Sequence, residues 1–256
     1  MSIFVIIIAD GIDEFTLSFF MESPREGMTK GGIFPAIIGS IEMMGFSLVF
    51  GFPLGLITGV YLSEFAGGRK SGKLLSIIVT SLSGVPSIVY GLFGYALFCV
   101  FFGFRTSLLS GSLTLALMTL PVIASSVKEA LCAVPVHIRE SAMALGANKT
   151  EVIFKIVIPY SKTRIITALL LGCGRIIGET APILLTGTVF YSTHLADSVL
   201  DPVMTLPSHI YYLTVAYGEK AQWMAKGSSS VLLLIVLLVY SVAFFLRRKK
   251  QDATGE

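Results

Sequence analysis

Two full charges four residues apart, Arg175 and Glu179, stand in the otherwise apolar run GCGRIIGETAPILL. On a helix that spacing puts both side chains on one face, within pairing reach. A guanidinium presents a planar fork of donors that matches two oxygens of an oxyanion, and it stays charged at any physiological pH. The carboxylate beside it can orient that fork. A second set lies in SLSGVPSIVYGLFG, where Ser83, Ser87 and Tyr90 bring hydroxyls. These could donate to a passing anion; equally, serines in such helices bond to their own backbone. Glu42 is a third charge in apolar surroundings, placed near the outer end of its segment, where an interfacial, solvated carboxylate is the simpler assignment.

Other chemistry is poorly supplied. His137, His194 and His209 are scattered, and Cys99, Cys132 and Cys173 show no ligand spacing, so a metal site is not expected and the cysteines are assigned to packing. A membrane-embedded enzyme would need His, Asp, Glu or Cys clustered at one depth, and the three intramembrane charges form no such cluster. No catalytic residue and no cofactor are assigned. The 256 residues contain no GxxxxGK[ST] phosphate-cradling loop, so ATP hydrolysis would have to come from another chain.

The elements that must hold these residues are membrane helices. Hydrophobic residues make up 54% of the chain and charged ones only 14%, against about a quarter charged in soluble domains. Runs near 34–62, 74–104, 107–127, 165–190 and 229–246 each supply the roughly 20 apolar residues that a span requires. The fold class is therefore all-α, a polytopic helix bundle with five complete spans. IFVIIIA at 3–9 is too short to be a sixth unless it is the remnant of a longer helix.

Lys and Arg sort by side. Arg69, Lys70 and Lys73, then Lys128, Arg139, Lys149, Lys155, Lys162 and Arg164, then Arg247, Arg248, Lys249 and Lys250 share one face. Arg25, Lys30, Arg105, Lys220 and Lys226 share the other. The positive-inside rule puts the first group in the cytoplasm, and the connecting loops alternate accordingly. A net charge of +3 without a basic, aromatic-interleaved stripe argues against nucleic acid. The chain is expected to be one membrane domain, 1–256, with a cytoplasmic loop at 128–164 and an extracytoplasmic one at 191–228.

Within that frame Gly51, Gly55 and Gly59 form a ridge for close helix approach, and Pro53 is expected to kink the same helix. Gly84 and Pro86 interrupt the next span, which is tolerated at membrane depth only where protein or a water-filled cavity covers the freed backbone. Gly174 and Gly178 repeat the small-residue pattern beside the charged pair. In a helix over 165–190, Arg175 is about 10 residues in, ~15 Å along the axis and near mid-bilayer. Inserting an arginine there costs about 2.5 to 3.5 kcal/mol. Trp223 and Tyr217 precede the last span as interfacial anchors.

The cytoplasmic loop carries KEALCAVPVHIRESAMALGANKTEVIFKIVIPYSKTR. Pro135 suits a helix start, Gly146 a left-handed C-terminal cap, and Asn148 with Glu151 a capping box opening a second short helix that Pro159 is expected to end. Two short helices meeting at a glycine form a compact knob. ESAMALGANKTEVIFKIVIP, with Glu140, Ala142, Gly146, Ile156 and Pro159 in register, resembles the EAA loop of ABC-transporter permeases. Ser141 and Ile158 depart from that pattern. The resemblance implies a coupling helix that docks on a cytoplasmic ATPase; the alternative is an amphipathic pair lying on the membrane.

GGIFPAIIGS, FPLGLITGVYLSEFA, LSGVPSIVYGLFG, VPVHIRESAMALGA and GRIIGETAPILLTG extend the likeness over about 31–190, and together they resemble the phosphate-uptake (PstA-like) family of those permeases. That resemblance implies a type I ABC importer permease of about six helices in the inner membrane. It implies as partners a second homologous permease, two copies of an ATPase, an extracytoplasmic phosphate-binding protein and membrane lipid. Members begin with a complete first span, so a longer upstream helix is expected here.

On this reading Arg175 lines the path and receives phosphate, while Glu179 orients it and accepts a hydrogen bond from a protonated phosphate oxygen. Fully ionised sulfate has no such proton. The alternative is a buried ion pair at the interface with the second permease. Another oxyanion such as sulfate or molybdate is the competing substrate. A secondary transporter would be expected to show a hydropathy repeat and an ion relay, and neither is visible.

Overall fold

Apolar runs opened by Pro, Ser or Asn and closed by Gly set the element order. The computed structural model describes residues 3–26 and 28–254, with side chains described through Leu246. Arg247, Arg248, Lys249 and Lys250, counted above on the cytoplasmic face, have side chains outside the described residues. The helices are α1 (Ile3–Ile12), α2 (Leu17–Met21), α3 (Phe34–Val60), α4 (Lys70–Ser83), α5 (Ser87–Gly94), α6 (Leu108–Cys132), α7 (Val136–Ala144), α8 (Lys149–Val152), α9 (Ile158–Gly178), α10 (Ala181–Thr186), α11 (Leu206–Tyr212) and α12 (Gln222–Thr254). Wider π-helical turns extend α3 to Phe65 and α5 to Phe101, and join α8 to α9 through Ile153–Val157. Among the described residues there is no strand, only two isolated bridges.

α6 is the centre of the bundle, with 67% of its most apolar stretch buried, whereas the corresponding figure for the C-terminal run is 17%. Its chief neighbour is α3, and the glycine ridge explains how close the two come. A Cβ on Gly51 would lie 3.2 Å from Ala116 Cα, and one on Gly55 or Gly59 would lie 2.7 Å from Ile123 or Val127. The small-residue reading is half right on α9: Gly174 abuts Tyr240 of α12, but Gly178 has open space. α1 lies along α12, where the Ser230 hydroxyl donates to the Ile7 carbonyl at 2.7 Å.

The interruption expected at Gly84 and Pro86 is present: two helices meet there, bent by 102°. Three expectations need correction. The segment 165–190 is not one helix: α9 ends at Gly178 and α10 begins at Ala181. Pro159 does not stop a helix. It lies inside a helix that runs unbroken from Lys149 to Gly178, directly after the π-helical turn Ile153–Val157, where the regular i→i−4 ladder is already relaxed. The stretch 191–228 is not all loop, because Thr205 and Ser208 cap α11 reciprocally and the Ser40 hydroxyl accepts the Leu206 N–H at 2.8 Å. Of the three cysteines assigned to packing, Cys99 and Cys173 are buried and Cys132 is exposed. Trp223 packs on Phe19 with ring centroids 6.3 Å apart, in the same apolar cluster that Tyr217 borders.

Candidate functional site

Two interrupted helices meet at the centre of this bundle. In the first, Gly84 and Pro86 end α4 and start α5, and the freed Leu82 carbonyl accepts the Tyr90 hydroxyl at 2.9 Å. In the second, Glu179 leaves helical geometry at φ −80°, ψ 131°, and Pro182 fixes the start of α10. α5 and α10 pack closely because Gly91 has no side chain; a Cβ there would lie 2.8 Å from Pro182 Cα. Tyr90, Leu115, Met118, Ile176 and Ile183 form the apolar seal around the junction.

Arg175 and Glu179 lie at this junction. Arg175 is in the last turn of α9, where a cation complements the negative end of the helix dipole, and Glu179 caps that end. The mid-helix placement expected from sequence is thereby replaced by a helix terminus. Arg175 Nη2 is 3.5 Å from Glu179 Oε1, a loose pair, with side chains 36% and 18% exposed. Arg175 Nε is buried with no acceptor in reach. The guanidinium therefore retains unspent donor capacity, which is costly to leave unused at low dielectric.

Of the three hydroxyl residues, two join this pair. Ser87 opens α5 and its hydroxyl faces the Glu179 carboxylate, and Tyr90 lies within electrostatic reach of Arg175. Tyr90 already donates to Leu82, so toward a ligand it has an acceptor lone pair and a ring edge. Ser83 stays apart: it is exposed and its hydroxyl returns to the Val79 carbonyl at 3.0 Å. Glu42 is half-buried and lines a shallow pocket with the exposed His194, beside Val203 and Met204. A cavity of about 10 Å³ adjoins Glu179, lined also by Ser40, Thr205 and Pro207. That is room for about one water.

The second candidate site is the helix pair on the Lys/Arg-rich side. Gly146 takes φ +92° after α7, and Asn148 and Glu151 form the capping box of α8. Ala142 is buried and Ile156 packs on the cluster of Val127, Leu131, Val152 and Val157. Glu140, Gly146 and Pro159 face outward. Sequence reasoning passed over the apolar side chains on the same outer face: Val136 is 65%, Phe154 62% and Leu145 90% exposed. Their signal was present, since Leu145 and Phe154 fall outside the buried stripe of their own helices.

A membrane bundle with broken helices at a charged junction and an outward-facing helix pair on its basic side defines an integral membrane permease. Residues 51–250 match the family described as "Binding-protein-dependent transport system inner membrane component", and the chain belongs to that family, as a multi-pass protein of the cell membrane. It is 33% identical over 201 residues to the phosphate transport system permease protein PstA of Xylella fastidiosa (strain 9a5c), covering 78% of this chain and 69% of that protein. It is 38% identical over 181 residues to PstA 1 of Mycobacterium tuberculosis (strain CDC 1551 / Oshkosh), covering 71% of this chain and 59% of the relative. The resemblance to PstA-like permeases read from the motifs holds. In fold, it is similar to the inward-facing MetNI methionine ABC transporter, with a TM-score of 0.68 at 21% identity, covering 84% of this chain and 96% of that one. It is similar also to a bacterial alginate ABC transporter, with a TM-score of 0.65 at 15% identity over 98% and 88% of the two chains. These are type I importer permease folds, as expected.

Proposed function

We propose that this chain is the membrane-spanning permease subunit of an ATP-driven importer of inorganic phosphate, and is not itself an enzyme. Its partners are two copies of an ATP-hydrolysing subunit, a second homologous permease and an extracytoplasmic phosphate-binding protein. The observation that carries the reading is the loose Arg175–Glu179 pair, with its buried unpartnered Nε, where two broken helices meet. The names of the relatives supply the substrate class.

Arg175 receives two phosphate oxygens, and its binding is kept weak enough for release by the carboxylate competing for the same guanidinium. Glu179 accepts the proton-bearing oxygen of phosphate and repels sulfate, which offers no proton. Ser87 holds Glu179, and Tyr90 holds the α4–α5 break in shape. Glu140, Ala142, Gly146, Ile156 and Pro159 belong to the knob that docks on the ATPase, with Val136, Leu145 and Phe154 filling its groove.

The test is uptake by the assembled transporter in proteoliposomes. Replacing Arg175 by Gln keeps one donor and removes at least one charge-assisted hydrogen bond of about 1.5 to 3 kcal/mol, so phosphate uptake is expected to fall at least about 10-fold while both partner subunits co-purify. Glu179→Gln is expected to raise inhibition by sulfate. Undiminished uptake by Arg175→Gln sinks the path role, and loss of the second permease on purification moves the pair to the interface between subunits. Stronger inhibition of the unaltered transporter by sulfate or molybdate than by phosphate reassigns the substrate.

A further inference from the structure

The basic-side end of α3 is gripped by both halves of the knob. Its terminal π-helical turn, Tyr61–Phe65, carries Glu64, whose carboxylate pairs with Arg139 of α7 across 75 residues of sequence. The pair is enclosed, with side chains 6% and 18% exposed. Glu64 Oε1 accepts the Ser63 hydroxyl at 2.9 Å, so both carboxylate oxygens are engaged. Arg139 Nη2 donates to the Leu131 carbonyl at 2.7 Å, in the last turn of α6, where a cation is favoured. Lys149, at the start of α8, donates to the Glu64 carbonyl and lies 4.9 Å above the Phe65 ring. Arg139 and Lys149 flank Gly146, so the two helices of the knob converge on Glu64.

An exposed ion pair would transmit little, since water competes for both partners. An enclosed pair in which both carboxylate oxygens are engaged holds direction and register, because parting it leaves a charge uncompensated. α3 therefore has to follow the knob. At its far end α3 holds α11 through the Ser40–Leu206 bond, and Ser40, Thr205 and Pro207 line the cavity beside Glu179.

We propose that Glu64 is a positioning residue that stays latched to Arg139 and relays the knob's movement along α3 to α11, the element over the Glu179 cavity. This rests on the knob being the ATPase contact. Two helices then carry the stroke: α9 moves Arg175, and α3 moves the cover above its partner.

The experiment uses the assembled transporter in proteoliposomes, reading ATPase co-purification, ATP hydrolysis and phosphate moved per ATP. Glu64→Gln, which is isosteric, is expected to keep the ATPase bound and hydrolysis within about twofold, and to lower phosphate per ATP at least tenfold. The exchange E64R/R139E is expected to recover most of that ratio. An unchanged ratio in Glu64→Gln overturns the relay, and so does a parallel fall of uptake, hydrolysis and co-purification, which signals a folding role alone. As a second measure, E64C/R139C in a Cys132→Ser background, expected to be as poorly coupled as Glu64→Gln, is bridged by a short bifunctional thiol reagent. Bridging is expected to raise phosphate moved per ATP, and arrest of transport on bridging would overturn the proposal that the latch stays closed. If the unaltered chain retains no ATPase, the coupling reading itself fails, a result distinguishable from every outcome above.

Discussion

Gly146 gives the sharpest test of the knob, because its environment separates backbone strain from crowding. Its φ is +92°, and a Cβ there would meet nothing within 4 Å. Replacement by Val therefore adds no clash inside the chain; the whole cost is holding an L-residue in left-handed geometry, about 1 to 2 kcal/mol. A local penalty of that size raises the opening equilibrium of the α7–α8 pair by about 5- to 30-fold. Hydrogen exchange followed by mass spectrometry on peptides covering 136–157 should show protection falling by that factor, with α6 peptides unchanged. Gly146→Asn should lose less than half as much, since Asn tolerates positive φ. Exchange indistinguishable from wild type in Gly146→Val would refute the strain argument. A loss that spread into α6 would show that the knob does not open by itself.

Gly55→Val forces side-chain atoms into Ile123 and should destabilise the α3–α6 contact by about 1 to 3 kcal/mol, read as a lower melting temperature in detergent and partly recovered by Ile123→Ala. Ser40→Ala strips the Leu206 N–H of its buried acceptor, a cost of about 1 to 3 kcal/mol, and exchange at that amide should accelerate while α12 is unaffected.

What the sequence made legible was where helices stop, and what it withheld was where the chain goes next. Gly84 and Pro86 announced an interruption, but a bend of 102° followed from where α5 packs, with Gly91 against Pro182 of α10. The end of α9 was missed because IIGETAPILL remains apolar on both sides of the break. Pro182 was the usable signal, since proline is favoured in the first turn of a helix and so marks a new start. α11 was hidden for a related reason: TLPSHIYY is too short and too polar to look like a span, although Thr205, Pro207 and Ser208 form a helix start. The glycine ridge was readable because close approach demands small residues wherever the partner lies. Glu64 with Arg139 was not, because spacing along a chain says nothing about contacts 75 residues apart. Arg175 and Glu179 were found by their expense in an apolar run, yet their true setting at a helix terminus came only with the fold.

The uninterrupted helix from Lys149 to Gly178 has a geometric corollary. With 1.5 Å of rise per residue, Arg175 sits ~39 Å from Lys149, so a swing of ~5° at the base displaces the guanidinium by ~3 Å. That is one hydrogen-bond length, measured against Ser87 and Tyr90 on a separate helix. Geometry alone thus turns a small rotation at the foot into a displacement at the crown large enough to make or break a contact.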